Sequence, residues 1–236
     1  MCAVKKLGIL SLKRNVKTFF EYNFVTAVTH TNNFQGTKIR VQRYGFAALS
    51  ESGDIVMGFS PDQNSVEAIL TGVHKNPHEI LGMHTDGGIS IRVYIPNAES
   101  IIVLNEEDGS CMEMQKQDPR GFFTLAADGI EKPFPYKLRI TDNTGHCYES
   151  YDPYSFWPTI SDYDLYLFNQ GNHHRIYEKL GAHLREINGI AGVSFCVWAP
   201  SAKRVSVVGD FNQWDGRRHP MRMMGNSGVW EIFIPG

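Results

Sequence analysis

The sequence predicts a mainly β protein made of two tandem antiparallel β-sandwiches, the second incomplete at its C-terminus, with one short helix before the first. Three observations predict it. Apolar and polar residues alternate at period two over short segments, turn residues recur at roughly 8–12-residue spacing, and one block of the chain repeats itself about 100 residues later.

The repeat sets the organisation. LGMH at 81–84 returns as LGAH at 180–183, an offset of 99. Ile89–Ala98 then aligns with Val193–Ala202 at an offset of 104, Val103 with Val207, and Gly121–Leu125 with Gly228–Ile232 at an offset of 107. An offset that grows slowly is what loop insertions produce, and a period this long means two copies of one domain and not a solenoid unit. After Gly121 the first copy continues for 31 residues to Asp152, whereas the sequence ends eight residues after Gly228, so roughly 23 equivalents are unmatched. The second copy is therefore expected to be an incomplete domain, unstable or aggregation-prone by itself, because a sandwich without its last strands exposes backbone edges and part of its core.

Each element has a local reason. Ser65–His74 predicts a helix capped by Ser65, with Val66, Ile69, Leu70 and Val73 on one face. Ile91, Val93 and Ile95 lie on one face of a strand and Arg92 and Tyr94 on the other, ended by Pro96-Asn97. Ser100–Leu104 and Val205–Val208 are β-branched segments read as strands, followed by turn chemistry at Asn105–Gly109 and Asp210–Gly216. Tyr136–Ile140 is a further strand before the turn Asp142–Gly145. Asp152-Pro153 and Trp157-Pro158 mark the exit from the first copy, since residues preceding Pro are driven extended, and Asp162–Phe168 reads as a short helix between the copies.

Composition excludes whole classes. The 236 residues carry 23 Lys+Arg against 25 Asp+Glu, a net charge of -2 that points to no nucleic-acid partner, and no apolar run approaches a membrane span. Cysteines at 2, 111, 147 and 196 have no metal spacing and no framework density, which implies reduced thiols in the cytoplasm. The first 50 residues hold eight bases and one acid, Glu21. An organelle transit peptide and an unrelated or poorly ordered extension are open readings of that stretch, with nucleic-acid binding by this arm a weaker third because its bases are scattered and form no recognisable module. The domains expected are thus an unmatched basic extension at 1–61, a sandwich at 62–155, a linker at 156–175 and the truncated sandwich at 176–236.

Several multi-residue runs carry a resemblance. NPHEILGMH (76–84), YDPYSFWPTISDYDLYLFNQGNHHRIYEKLGAHL (151–184), GVSFCVWAPSAKRVSVVGDFNQWDGRRHPMRMM (192–224) and GVWEIFIPG (228–236) resemble, in order, the N-terminal part of bacterial glycogen branching enzymes. The resemblance covers about residues 62–236 and implies two immunoglobulin-like modules, the second of the glycogen-binding, isoamylase type. That family cleaves an α-1,4 glucan and transfers the cut chain to a 6-hydroxyl, with its catalytic carboxylates on a (β/α)8 barrel that this sequence does not reach. The resemblance therefore implies a partner, α-1,4/α-1,6 glucan (glycogen), with no catalytic residue, metal or cofactor to carry over. A stand-alone carbohydrate-binding or interaction protein of two immunoglobulin-like domains is the alternative reading.

Glucan binding needs a flat aromatic for the CH face of a sugar and polar groups for its hydroxyls. Trp214 and Asn212, in the turn-rich run Gly209–Gly216, are the candidate carbohydrate-binding residues; Trp214 resembles the first sugar-stacking Trp of such modules. Its competing reading is packing over the sandwich edge. Trp198 and Trp230 read as core or interdomain packing by strand alternation. Asp162, Asp164, Asp210 and Asp215 sit in turns or the linker, where Asp serves the backbone. Asn172–Arg175 lacks partners at ligand spacing for a metal site, and His84 and His183, at equivalent repeat positions, read as local structural residues.

Overall fold

The structure, a computed structural model, describes residues 25–34, 37–49, 55–58, 61–86 and 88–236. The transit-peptide reading and the Cys2 thiol lie outside these residues. Part of the basic extension forms an antiparallel meander of β1 (Val25–Phe34), β2 (Thr37–Leu49) and β3 (Ile55–Gly58). The alternation of Ile39 and Val41 with Lys38, Arg40 and Gln42 is the period-two signal of β2.

Residues 61–155 form a two-sheet sandwich. One sheet has the order β4 (Gly82–His84), β5 (Ser90–Tyr94), β9 (Phe122–Ala126) and β8 (Gln115–Asp118). The other runs β11 (Cys147–Tyr151), β10 (Tyr136–Asp142), β6 (Ala98–Asn105) and β7 (Cys111–Glu113). Ile91 and Val93 of β5 and Phe123 of β9 pack on Ile101 and Val103 of β6 and Leu138 and Ile140 of β10 in one buried core. The preceding helix α1 (Gln63–Leu70) starts one turn earlier than its sequence suggests. Asp62 is the cap, accepting from the Ser65 amide at 3.0 Å and the Ser65 hydroxyl at 2.7 Å. The helix ends before Val73, which is exposed, because Gly72 takes a left-handed conformation.

The second copy supplies one sheet, ordered β12 (Gly181–Ile187), β13 (Ile190–Trp198), β15 (Val229–Pro235) and β14 (Arg222–Met223). Val205–Val208 departs from the strand expectation. It makes a single bridge, Ser206 to Pro220, and its backbone pairs locally with the 219–221 segment through Val207 N–H to His219 and Met221 N–H to Val205.

The repeat holds in register. Tyr94 opposes Phe122 between β5 and β9, and Trp198 opposes Val229 between β13 and β15; Gly82 opposes Arg92, and Gly181 opposes Cys196. These are the same positions at the offsets read from sequence. Ile95 N–H donates to Gly121 O, and Ala199 N–H to Gly228 O. Gly121 has φ +106°, and a Cβ there would stand 2.2 Å from Ile95 O, so no other residue fits.

Both faces of β15 are covered. Trp230 and Ile232 join a core with Ile69 and Leu70 of α1, Leu81, Tyr94, Phe122 and Tyr154, all from the first module. The opposite face is covered by the linker. The Phe156 ring meets Phe233 at 4.8 Å, and Ile160 packs with Cys196 and Val229, flanked by Leu165 and Phe168 of helix α2 (Asp162–Asn169). Ser161 caps α2 in a reciprocal box with Asp164. On that face the fully buried Glu231 carboxylate accepts from Arg222 Nε and Nη2, both at 2.8 Å. It also accepts from the Thr159 amide and hydroxyl, each at 3.0 Å, while Arg222 Nη2 donates to Phe156 O at 3.3 Å.

Two outcomes follow from that packing. Glu231→Ala leaves a buried guanidinium uncompensated and is expected to cost about 3–5 kcal/mol; the urea midpoint checks it, and adding Arg222→Met should restore part of the loss. Residues 176–236 alone, stripped of cover on both faces of β15, are expected to lack the cooperative urea transition that residues 61–236 show.

Candidate functional site

The loop Gly209–Gly216 follows from hydrogen-bond geometry around Asn212. Gly209 N–H donates to Asn212 Oδ1 at 2.9 Å, and Asn212 Nδ2 donates to Val207 O at 2.8 Å and to His219 Nδ1 at 2.9 Å. With 0% exposure and both amide atoms engaged, Asn212 builds the loop; its side chain is closed to direct sugar contact in this arrangement. A turn Asn beside a Trp looks the same in sequence whether it faces solvent or the loop interior.

The loop drives Gln213 and Trp214 into the left-handed region, φ 57° and 58°. For a bulky side chain such as Trp this is a strained conformation, of order 1–3 kcal/mol, that surrounding bonds must hold in place. Trp214 N–H donates to Gly209 O at 3.0 Å and its indole Nε1 donates to Asp210 Oδ1 at 2.9 Å. The indole is thereby oriented with its polar edge satisfied and its body 66% exposed, so it does not pack over the sandwich edge. Asp215 accepts from the Arg217 amide and guanidinium, which hold its carboxyl below the usual range. Each acid of the loop thus has a positional role.

His219 lies beneath. Burial, then the neighbouring Arg218, pushes its pKa down to about 4, and its Nδ1 must be unprotonated to accept from Asn212. Sequence reasoning missed Phe211, 58% exposed on the same turn, its ring 5.5 Å from His219. The one signal for it was Gly209, where a Cβ would stand 2.6 Å from the Phe211 ring.

The other candidates take structural places. Trp230 is fully buried and donates to Ala199 O at 3.1 Å. Trp198 departs from the core expectation: it stays 55% exposed at the end of β13, edge-on to Phe168 at 5.7 Å. His84 and His183 pair with the carbonyls three residues before them, Leu81 at 3.2 Å and Leu180 at 2.9 Å. In Asn172–Arg175, His173 is held by Asp164 at 2.9 Å, a carboxyl that also meets Lys179. Among the described residues no three His, Cys, Asp or Glu side chains converge on a metal position, and no helix is long and apolar enough to cross a membrane.

A two-sheet sandwich followed by a second, single sheet that carries a projecting Trp is what this geometry defines. Residues 62–154 match the family model described as alpha-1,4-glucan branching enzyme GlgB, N-terminal domain, and residues 179–236 match that of carbohydrate-binding module 48 (isoamylase N-terminal domain). The chain is similar to 1,4-alpha-glucan branching enzyme GlgB of Cereibacter sphaeroides, 45% identical over 79% of this chain and 25% of that protein. It is also similar to those of Rubrobacter xylanophilus, 47% identical over 74% of the chain and 24% of the relative, and Synechocystis sp., 46% identical over 76% and 24%. The chain spans about a quarter of the length of these curated relatives.

The loop has a pH signature. A histidine whose folded pKa lies near 4, against 6.5 unfolded, contributes stability that is complete above 6.5 and lost as pH falls toward 4. The urea midpoint of the native chain is expected to fall across that window, with His78, held lower still by burial and Arg222, contributing too, and His219→Gln to make the fall smaller; parallel curves would contradict the assignment.

Proposed function

We propose that this chain is the N-terminal accessory and glucan-binding part of a 1,4-alpha-glucan branching enzyme, active in the making of α-1,6 branches in glycogen. Its own contribution is to hold α-glucan. The supporting observation is Trp214, projected into solvent by a strained loop whose bonds orient the indole and satisfy its N–H. An indole so placed offers a flat apolar face to the CH groups of a glucose ring, and Asn212 acts behind it as the loop's internal brace. Retaining transfer between glucans needs two carboxylates about 5 Å apart. Asp210 and Asp215 are instead engaged by Trp214 and Arg217, which supports binding and not bond cleavage as the work of this loop. The described cysteines, Cys111, Cys147 and Cys196, are unpaired, which fits a cytoplasmic setting.

One stacked aromatic contributes about 0.5–1.5 kcal/mol beyond its area, so affinity from this loop is weak and accumulates along a polymer with many glucose residues. Affinity electrophoresis through a glycogen-containing gel tests the reading. The native chain should be retarded relative to a gel without glycogen, and Trp214→Ala should lose most of that retardation. Equal mobility of the two would remove Trp214 from the function.

A further inference from the structure

A cleft of about 240 Å³ opens between the two modules on the inner side of the Trp214 loop. Its floor is apolar, made by Ile95 and Ile140 at the end of the first sandwich. Tyr148 of β11 and Phe211 of the Trp214 loop both line it, together with Arg218 and His219. The walls are fixed. Arg218 Nη2 donates to the Tyr148 hydroxyl at 2.9 Å across the module boundary, and Tyr148 stacks on His146 at 5.8 Å. The Phe211 ring lies against the bare Gly209 backbone and still leaves 58% of the residue exposed.

The chemistry of the lining selects a ligand class. Two aromatic rings and an apolar floor suit a ligand with CH faces. Arg218 and His219 can meet hydroxyls, and His219 is neutral because its Nδ1 accepts from Asn212, so an anion finds one cation and not two. The Asp152 carboxylate at the cleft is not an open acceptor, being engaged by the Tyr136 hydroxyl at 2.7 Å and the Tyr154 amide at 2.9 Å. A neutral polyhydroxylated ring fits this description better than an ionic metabolite. The volume lies below the roughly 300–1,000 Å³ of pockets for drug-sized ligands, and the floor is closed by the sandwich core, so a continuous chain cannot thread it.

We propose that this cleft is a chain-end subsite, built jointly by both modules, which takes a terminal glucosyl residue of an α-glucan. The proposal rests on the glucan reading above but concerns separate residues. A glucan end seated in this cleft would meet the same loop that presents Trp214, three residues from Phe211. Trp214 then serves the sides of glucan chains and the cleft serves their tips.

The experiment uses the full chain and two sugars, maltotriose, which has ends, and β-cyclodextrin, which has none, each titrated while backbone amide resonances are followed by NMR. Maltotriose is expected to shift the amides of Tyr148, Ser150 and Arg218, and β-cyclodextrin only those around Trp214. Phe211→Ala and Tyr148→Ala should each weaken maltotriose by about fivefold, the equivalent of one stacked ring, while leaving β-cyclodextrin within about twofold. Trp214→Ala should do the reverse. Phe211 is an exposed side chain, so its truncation keeps the comparison valid even where Tyr148→Ala fails to fold. Maltotriose shifts confined to the Trp214 loop, or equal losses for both sugars in Phe211→Ala, overturn the chain-end subsite alone. Absence of binding by either sugar overturns it together with the glucan reading.

Discussion

The buried Arg222–Glu231 pair is the interaction on which the packing of the linker against the second module depends. A carboxylate with no exposure is tolerable only when every lone pair has a partner, and here those partners come from two places in the chain, Arg222 and Thr159. Arg222 belongs to β14 beside Glu231 in the sheet, whereas Thr159 and the Phe156 carbonyl belong to the linker. The ion pair therefore ties a segment without regular structure down onto a sheet face that would otherwise be open. Such a network is brittle toward loss of any one member, because what remains is an unpaired buried charge. Around it Phe156, Ile160 and Phe233 supply the apolar cover, so the linker acts as the second layer of the second module.

Much of this fold was legible in the sequence where the signals are local. β5 and β13 show alternation ended by proline, β9 and β15 begin after a glycine of positive φ, and the repeat offsets turn out to be strand registers. What was not legible depends on tertiary neighbours. Phe156, Ile160, Leu165 and Phe168 have no common period and lie among prolines and turn residues, so nothing local marks them as a layer. Val205–Val208 has strand composition but meets a short local partner in place of the sheet. In the candidate site, the exposed Trp214 was legible as a type of residue in a type of turn. The inward rotation of Asn212 was not, because the acceptors that hold it, Val207 O and His219 Nδ1, lie five residues before it and seven after it.

The loop itself shows how strain and exposure are combined. Two successive residues held at positive φ would relax if the bonds from Asn212, Gly209 and Asp210 were absent, and relaxation would let the indole collapse onto the surface. The neutral state of His219 is part of that restraint. The indole is thus kept exposed by a polar brace beneath it, while a second ring, Phe211, lines the cleft at the boundary between the modules.

The core shared by Trp230, Tyr94, Tyr154 and α1, together with the linker pinned on the far side of β15, has a geometric consequence. A joint buried on both faces is not a hinge. The separation between the Trp214 loop and strand β11 is then a constant of the molecule and not a variable that a ligand sets. Two glucan contacts carried on such a frame would act as a ruler, accepting only those chain conformations whose pitch brings a glucose ring to each mark.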